Sequence, residues 1–139
     1  MEQKSVTYIS PKKFLTPKAE PELSFRIGKD IEPGTHTRAS ILPMIQSVIP
    51  SIEIIDSRFS KVVGVYQAIA DNANSGALVL SSKEQPVPSA EKLADMEVRL
   101  IVDREVMGEG LGSNVLGNPI DSLVWLANAL ARYNITLRR

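Results

Sequence analysis

The sequence has no cysteine. That gap removes disulfides, thiolate metal sites and cysteine nucleophiles together, and it agrees with a reducing cytoplasm. Histidine is nearly missing as well. His36 is the only one, so a multi-histidine metal site and an ordinary serine-histidine-aspartate triad are hard to build from this chain. A charge excess of either sign is also absent, because sixteen Lys and Arg cancel sixteen Asp and Glu. No overall field therefore draws the protein to nucleic acid or to an anionic membrane surface. No stretch approaches the roughly 20 apolar residues of a membrane-spanning helix, and the opening Met1-Glu2-Gln3-Lys4 lacks an apolar signal core. These absences predict a soluble, cytoplasmic protein with neither nucleic acid nor membrane as partner. What remains is 43% hydrophobic residues in 139, enough for one compact core and one unit over residues 1–139.

The chemistry left to such a chain is carboxylate chemistry, and its placement follows from the strand pattern. From Glu20 to Gly28, Leu23, Phe25 and Ile27 alternate with Glu20, Glu22, Ser24 and Arg26, which predicts a half-buried strand. Before it, Val6-Thr7-Tyr8-Ile9 is β-branched and aromatic, and 10–18 holds Pro11, Pro17 and three lysines, an irregular solvated connection. After Pro33 and Gly34, Thr37 or Ser40 is expected to cap a helix running towards Ile49, with Pro43 kinking it or lying in its first turn. Ser51 to Asp56 reads as a second strand that carries Glu53 among isoleucines. Val62, Val65, Tyr66 and Ile69 have helical spacing and lead into a polar loop from Asp71 to Gly76, followed by a short strand from Ala77 to Leu80.

Further on, Pro86 and Pro88 mark another irregular stretch. Strands on either side of Asp103-Arg104 predict a hairpin, ended by Gly108, Gly110, Gly112 and Gly117. Gly108, Gly110 and Gly112 follow the hairpin and the next helix starts only near Pro119, so they are read as turn residues and not as a phosphate-binding loop. Pro119 opens the clearest helix, with Leu123, Leu126, Ala127, Leu130 and Tyr133 as its apolar stripe and Asp121 at its amino-terminal end. Trp125 is expected to pack in the core, and His36 to lie in an exposed loop.

Glu20 and Glu22 lie two residues apart on one strand, so their side chains leave the same face with Cα atoms roughly 6.5 Å apart. Carboxylates held that close repel until a proton or a cation neutralises them. Oxygen-only donors favour a hard divalent ion with open coordination positions, Mg²⁺ or Mn²⁺. An isolated Glu-x-Glu is also what the wet face of any amphipathic strand looks like.

The longer context is more specific. Ala19-Glu20-Pro21-Glu22-Leu23-Ser24-Phe25-Arg26-Ile27-Gly28-Lys29-Asp30, then Ile52-Glu53-Ile54-Ile55-Asp56-Ser57-Arg58, then Asp71-Asn72-Ala73 stand in that order. With Gly112-Ser113-Asn114-Val115-Leu116-Gly117-Asn118-Pro119 and Leu123-Val124-Trp125-Leu126-Ala127-Asn128, they resemble the 2-oxopent-4-enoate hydratase and 4-oxalocrotonate decarboxylase family of the fumarylacetoacetate hydrolase superfamily. The resemblance runs over about residues 19 to 139, and 1–18 form a loosely matching lead-in.

The resemblance implies an α+β fold with a mixed, mostly antiparallel curved sheet, an incomplete β-roll of the fumarylacetoacetate hydrolase type, and a packed C-terminal helix. It implies that Glu20, Glu22 and Glu53 bind Mg²⁺ or Mn²⁺ and that Asn72, Ser75 and Gly76 contact substrate, with Asn74 where the family commonly has serine. Its chemistry is that of a lyase acting on a small unsaturated 2-oxo acid in aromatic catabolism: hydration of a 2-hydroxypenta-2,4-dienoate-type acid, or decarboxylation of a 4-oxalocrotonate-type diacid. Related acylpyruvate hydrolases supply an aspartate as third ligand, so Glu53 favours lyase chemistry. Family members are roughly twice this length, and the segment that brings their catalytic lysine is not found here; Lys12, Lys13 and Lys18 read as solvated linker residues. A non-catalytic relative, or a homo-oligomer or partner subunit that completes the sheet, is the expectation from the other class.

Overall fold

The structure is a computed structural model that describes residues 7–61 and 64–139. Val6 and Val62, which the sequence reading used, lie outside the described residues. The chain is α+β with antiparallel strand pairs. It divides into two compact units, Met1–Glu22 with Pro50–Lys83, and Leu23–Ile49 with Glu84–Arg139.

The first unit is built on strands. β1 (Lys18–Ile27) and β2 (Ile45–Ile55) each contribute residues to both units, and β3 (Ser75–Leu80) completes the order β1-β2-β3. β2 and β3 are antiparallel, pairing Ser51 with Leu80, Glu53 with Leu78 and Ile54 with Ala77, and the register slips between Ile54 and Ile55. Among its described residues the lead-in holds a 3-10 turn, Pro11–Lys13. It is tied down by Asp56, a buried residue whose carboxylate accepts from the Leu15 and Thr16 amides. A short helix, α2 (Val65–Ala70), forms where helical spacing predicts one, yet Val65, Tyr66 and Ile69 are exposed.

The second unit contains the buried hydrophobic cluster, Ile31, Ile41, Ile45, Val48, Leu93, Ile120, Leu123 and Ala127. Leu23, Phe25 and Ile27, the predicted inward face of β1, pack against it. The helix expected to run towards Ile49 does not form. Thr37 and Ser40 make a reciprocal capping box for α1 (Arg38–Ile41), a 3-10 turn takes Leu42–Met44, and the chain is already in β2 at Ile45. Pro43 cannot donate to the helical ladder, and the β-branched residues that follow favour extended backbone.

A short helix, α3 (Ala90–Ala94), was missed among the prolines; Ser89 caps it and Leu93 anchors it in the core. The hairpin is longer than expected. β4 (Glu97–Val102) and β5 (Glu105–Leu111) turn at Asp103 and Arg104, which both have positive φ, as a two-residue turn of this hand requires. Gly108 and Gly110 lie within β5 and do not end it. Gly112 donates its amide to the Met96 carbonyl at 2.8 Å, and a Cβ there would collide with the Leu93 carbonyl oxygen.

The late helix, α4 (Pro119–Ala131), forms as predicted, with Asn118 accepting from the Ile120 amide as its cap. Its buried stripe is Ile120, Leu123 and Ala127; Leu126, Trp125 and Tyr133 are exposed, which corrects the expected stripe and the expected core tryptophan. One helical face holds a spacing of three and four residues, and counting it from Ile120 puts Trp125 on the far side. His36 is half-buried, its ring hydrogen-bonded to the Glu32 carbonyl and its amide to Asn128 Oδ1.

Candidate metal centre

All three glutamates singled out in the sequence lie in the first unit. Glu20 and Glu22 leave the same face of β1 because they are two residues apart. Glu53 comes from β2, held in register by its pairing with Leu78. Each offers a carboxylate oxygen, and these oxygens lie within 4.8 Å of one another; Glu20 and Glu22 are exposed and Glu53 is half-buried. Two residues of one strand and one of another thus meet at one point.

Like charges at that separation repel by about 1 kcal/mol per pair even under water-like screening. The Glu22 carboxyl records the effect: it is pushed above its ordinary value, first by partial desolvation and then by the charges of Glu53 and Glu20. No salt bridge among the described residues brings an arginine or lysine to any of the three. The set therefore fits a hard divalent cation by its chemistry: oxygen donors only, three negative charges and no internal cation to compensate them.

The structure places Asn72 in the turn that enters β3 and Ser75 and Gly76 as the first two residues of that strand, Gly76 two residues before the partner of Glu53. Asn72, Ala73 and Asn74 are all left-handed, with φ of 53°, 52° and 64°. Asparagine tolerates this region, whereas for Ala73 it costs about 1–2 kcal/mol. Asn74 donates its amide to the Asp71 carbonyl at 3.0 Å and accepts from the Asp56 amide at 2.7 Å. Its Oδ1 is buried with no hydrogen-bond partner among the described residues. Gly76 has a packing reason of its own: a Cβ there would stand 2.9 Å from the Ile54 carbonyl oxygen and 3.1 Å from the Phe14 ring. Lys12, Lys13 and Lys18 are exposed.

Sequence reasoning quoted Asp71 and Arg58 without giving them a role. Asp71 is buried, and its carboxylate receives Arg58 Nε at 2.6 Å and the Arg58 amide at 3.0 Å. A buried acid paired with an arginine after a strand had a possible signal, an aspartate opening the loop and an arginine closing Ile-Ile-Asp-Ser-Arg.

The chain is similar to known proteins over most of its length. The chain is 33% identical over 125 residues to the 2-hydroxyhexa-2,4-dienoate hydratase of Comamonas testosteroni, a match covering 89% of this chain and 47% of the relative. It is 31% identical over 124 residues to a 2-hydroxypent-2,4-dienoate hydratase of Pseudomonas putida, covering 88% and 55%. Among solved structures, a 4-oxalocrotonate decarboxylase from Pseudomonas putida, complexed with magnesium and adipate, superposes with a TM-score of 0.82 at 28% identity, covering 91% of this chain and 48% of that one. The same decarboxylase complexed with calcium and acetate gives 0.79. The chain spans about half the length of the curated relatives it matches. No family model matches it.

Proposed function

We propose, for a chain that over its matched stretch belongs to the 2-keto-4-pentenoate hydratase and 4-oxalocrotonate decarboxylase family, a divalent-metal-dependent lyase reaction: hydration of a 2-hydroxypenta-2,4-dienoate-type acid to a 4-hydroxy-2-oxo acid. The observation that carries this reading is the convergence of Glu20, Glu22 and Glu53 within 4.8 Å. Hydratases stand among the relatives and a magnesium-bound decarboxylase among the structural neighbours.

In this reading Glu20, Glu22 and Glu53 hold Mg²⁺ or Mn²⁺ as deprotonated carboxylates, which requires Glu22 to release the proton that its neighbours favour. When bound, the ion supplies Lewis acidity to the carboxylate and 2-oxo oxygens of a chelating acid. Asn72, Ser75 and Gly76 orient the acid from their loop, where Asn72 and Gly76 are exposed and Ser75 is half-buried. The place of action is the cytoplasm, and residues 1–139 act as one partial catalytic-domain-like unit. No helix among the described residues is long and apolar enough to cross a membrane.

Decarboxylation of a 4-oxalocrotonate-type diacid is the close alternative, favoured by the structural neighbour. The dienol absorbance followed with added Mg²⁺, beside carbon dioxide release from the diacid, separates the two. Silence in both assays from a chain that binds the metal removes the enzyme reading and leaves a non-catalytic binding module or subunit. That last reading draws on exposed apolar residues in the first unit, Leu78 and Leu80 on β3 and Val65, Tyr66 and Ile69 on α2. A second copy or a partner subunit completing a β-roll covers them. Sedimentation as a monodisperse monomer counts against it.

A further inference from the structure

We infer that Arg58 is a positioning residue: its guanidinium closes the loop from Asp71 to Ser75 into a ring and so sets where the loop's polar groups stand towards a bound 2-oxo acid. This rests on the functional reading above. The ring is made of five contacts. Arg58 Nε meets Asp71 Oδ1 at 2.6 Å, and the Arg58 amide donates to Asp71 Oδ2 at 3.0 Å. Nη2 donates to the Asp71 carbonyl at 2.8 Å. Nη1 donates to the Ser75 carbonyl at 2.9 Å and to the Asp56 carbonyl at 3.1 Å. One planar group therefore joins the first residue of the loop, its last residue, and the residue that follows β2.

Arginine is suited to this and lysine is not. A guanidinium presents five donors in a fixed fork, whereas an ammonium offers three from a single point and cannot span three separate acceptors in one plane. The acid side of the pair is desolvated, with the Asp71 side chain only 7% exposed, so the contact is not one of the loose surface pairs that solvent screens.

Inside the ring the backbone is held where it would not rest by itself. Three successive residues are left-handed, and a conformation of that kind persists only when its surroundings over-determine it. Arg58 supplies the constraint. It contacts neither Glu20, Glu22 nor Glu53 in any hydrogen bond or ion pair among the described residues, so its influence on the acid and the metal's hold on the carboxylates are separable.

The test uses the full chain with Arg58→Ala and Arg58→Lys, Mg²⁺ alone, and then 2-oxopentanoate at saturating Mg²⁺, by calorimetric titration. Both variants are expected to keep the Mg²⁺ affinity within about twofold and to bind 2-oxopentanoate about tenfold or more weakly, with methylguanidine but not methylammonium restoring the alanine variant. Wild-type affinity for the acid in Arg58→Lys overturns the proposal, as does parallel loss of Mg²⁺ binding in a variant whose circular dichroism is native. A second arm needs no metal. Amide exchange at Asp56 and Asn74 should accelerate about tenfold or more in the variants while the β2–β3 ladder at Glu53 and Leu78 keeps its protection. If the parent binds no Mg²⁺, the functional reading falls and the loop clamp is decided by exchange, where unchanged rates at Asp56 and Asn74 defeat it.

Discussion

The acids of the two units meet opposite company. In the second unit Glu84 faces Arg26, Asp121 faces Arg38 and Asp30 faces Arg138, and the Glu84 and Asp121 carboxyls are held below their ordinary values by hydrogen bonds from those arginines. In the first unit Glu20, Glu22 and Glu53 face one another, and Glu22 is pushed the other way. The residue types are the same and the shifts oppose, so the partner decides. The contrast belongs to the cluster and not to the unit, since Asp71 in the first unit has its own arginine. Paired surface acids contribute little to stability. A group of unpaired ones stores repulsion, and that repulsion is available to a cation.

Four measurements break or sharpen the contrast. The largest effect belongs to the core of the second unit: Ile120 is fully buried, and Ile120→Ala is expected to cost about 2–5 kcal/mol in chemical denaturation. Native-state Mg²⁺ affinity should stay within about twofold of the parent; a large loss would mean that the carboxylates depend on that core. Next comes Glu53→Gln, expected to weaken Mg²⁺ binding by at least the roughly 10- to 100-fold that loss of a supporting partner costs at metal sites. The same change should bring the Glu22 titration, read by carbon-13 resonance, back towards its ordinary value, and unchanged metal binding would move the third ligand elsewhere.

Asn118→Ala ranks third. Its side chain caps α4 and also donates to the Ala90 carbonyl at 2.7 Å, so thermal unfolding should register a loss of about 1–2 kcal/mol with metal binding untouched. Smallest is Arg26→Ala, visible in the acid limb of the stability curve. Glu84, depressed in the folded state by Arg26 and then by Ser47, contributes stability above its unfolded value that is lost as pH falls through its folded value; the variant should lose the larger part of that limb and keep the part that Ser47 supplies. Glu22 has the opposite sign: its raised value costs stability above the ordinary carboxylate range, and the cost is relieved as pH falls through its folded value. Saturating Mg²⁺ should abolish the Glu22 effect and leave that of Glu84.

The sequence made the site more legible than the segments between its elements. Glu20 and Glu22 were placed on one face by a period of two, because strand alternation leaves a side chain only two directions, and Glu53, singled out by the resemblance of its segment, stands beside them. The helix drawn towards Ile49 failed because capping chemistry at Thr37 reports where a helix begins and says nothing of its length, which Pro43 cut to one turn. The α4 stripe was right at Leu123 and Ala127 and wrong at Leu126 and Tyr133, because Ile120 at the start of the helix fixes which face turns to the core. The Arg58–Asp71 contact was hidden for a different reason: it joins residues 13 apart, a separation that neither strand nor helix periodicity brings together.

Gly108, Gly110 and Gly112 look interchangeable on paper, evenly spaced along one strand and the turn that follows it. A saturation library would rank them far apart. Nothing stands within 4 Å of a side chain at Gly108, so β-branched replacements there should be accepted and even preferred in a strand. At Gly112 the backbone oxygen of Leu93 fills the space of the first carbon, and no replacement avoids displacing main chain. Tolerance to substitution along this stretch is set by a neighbour nineteen residues upstream, a dependence that single-site variants would miss and a paired screen would expose.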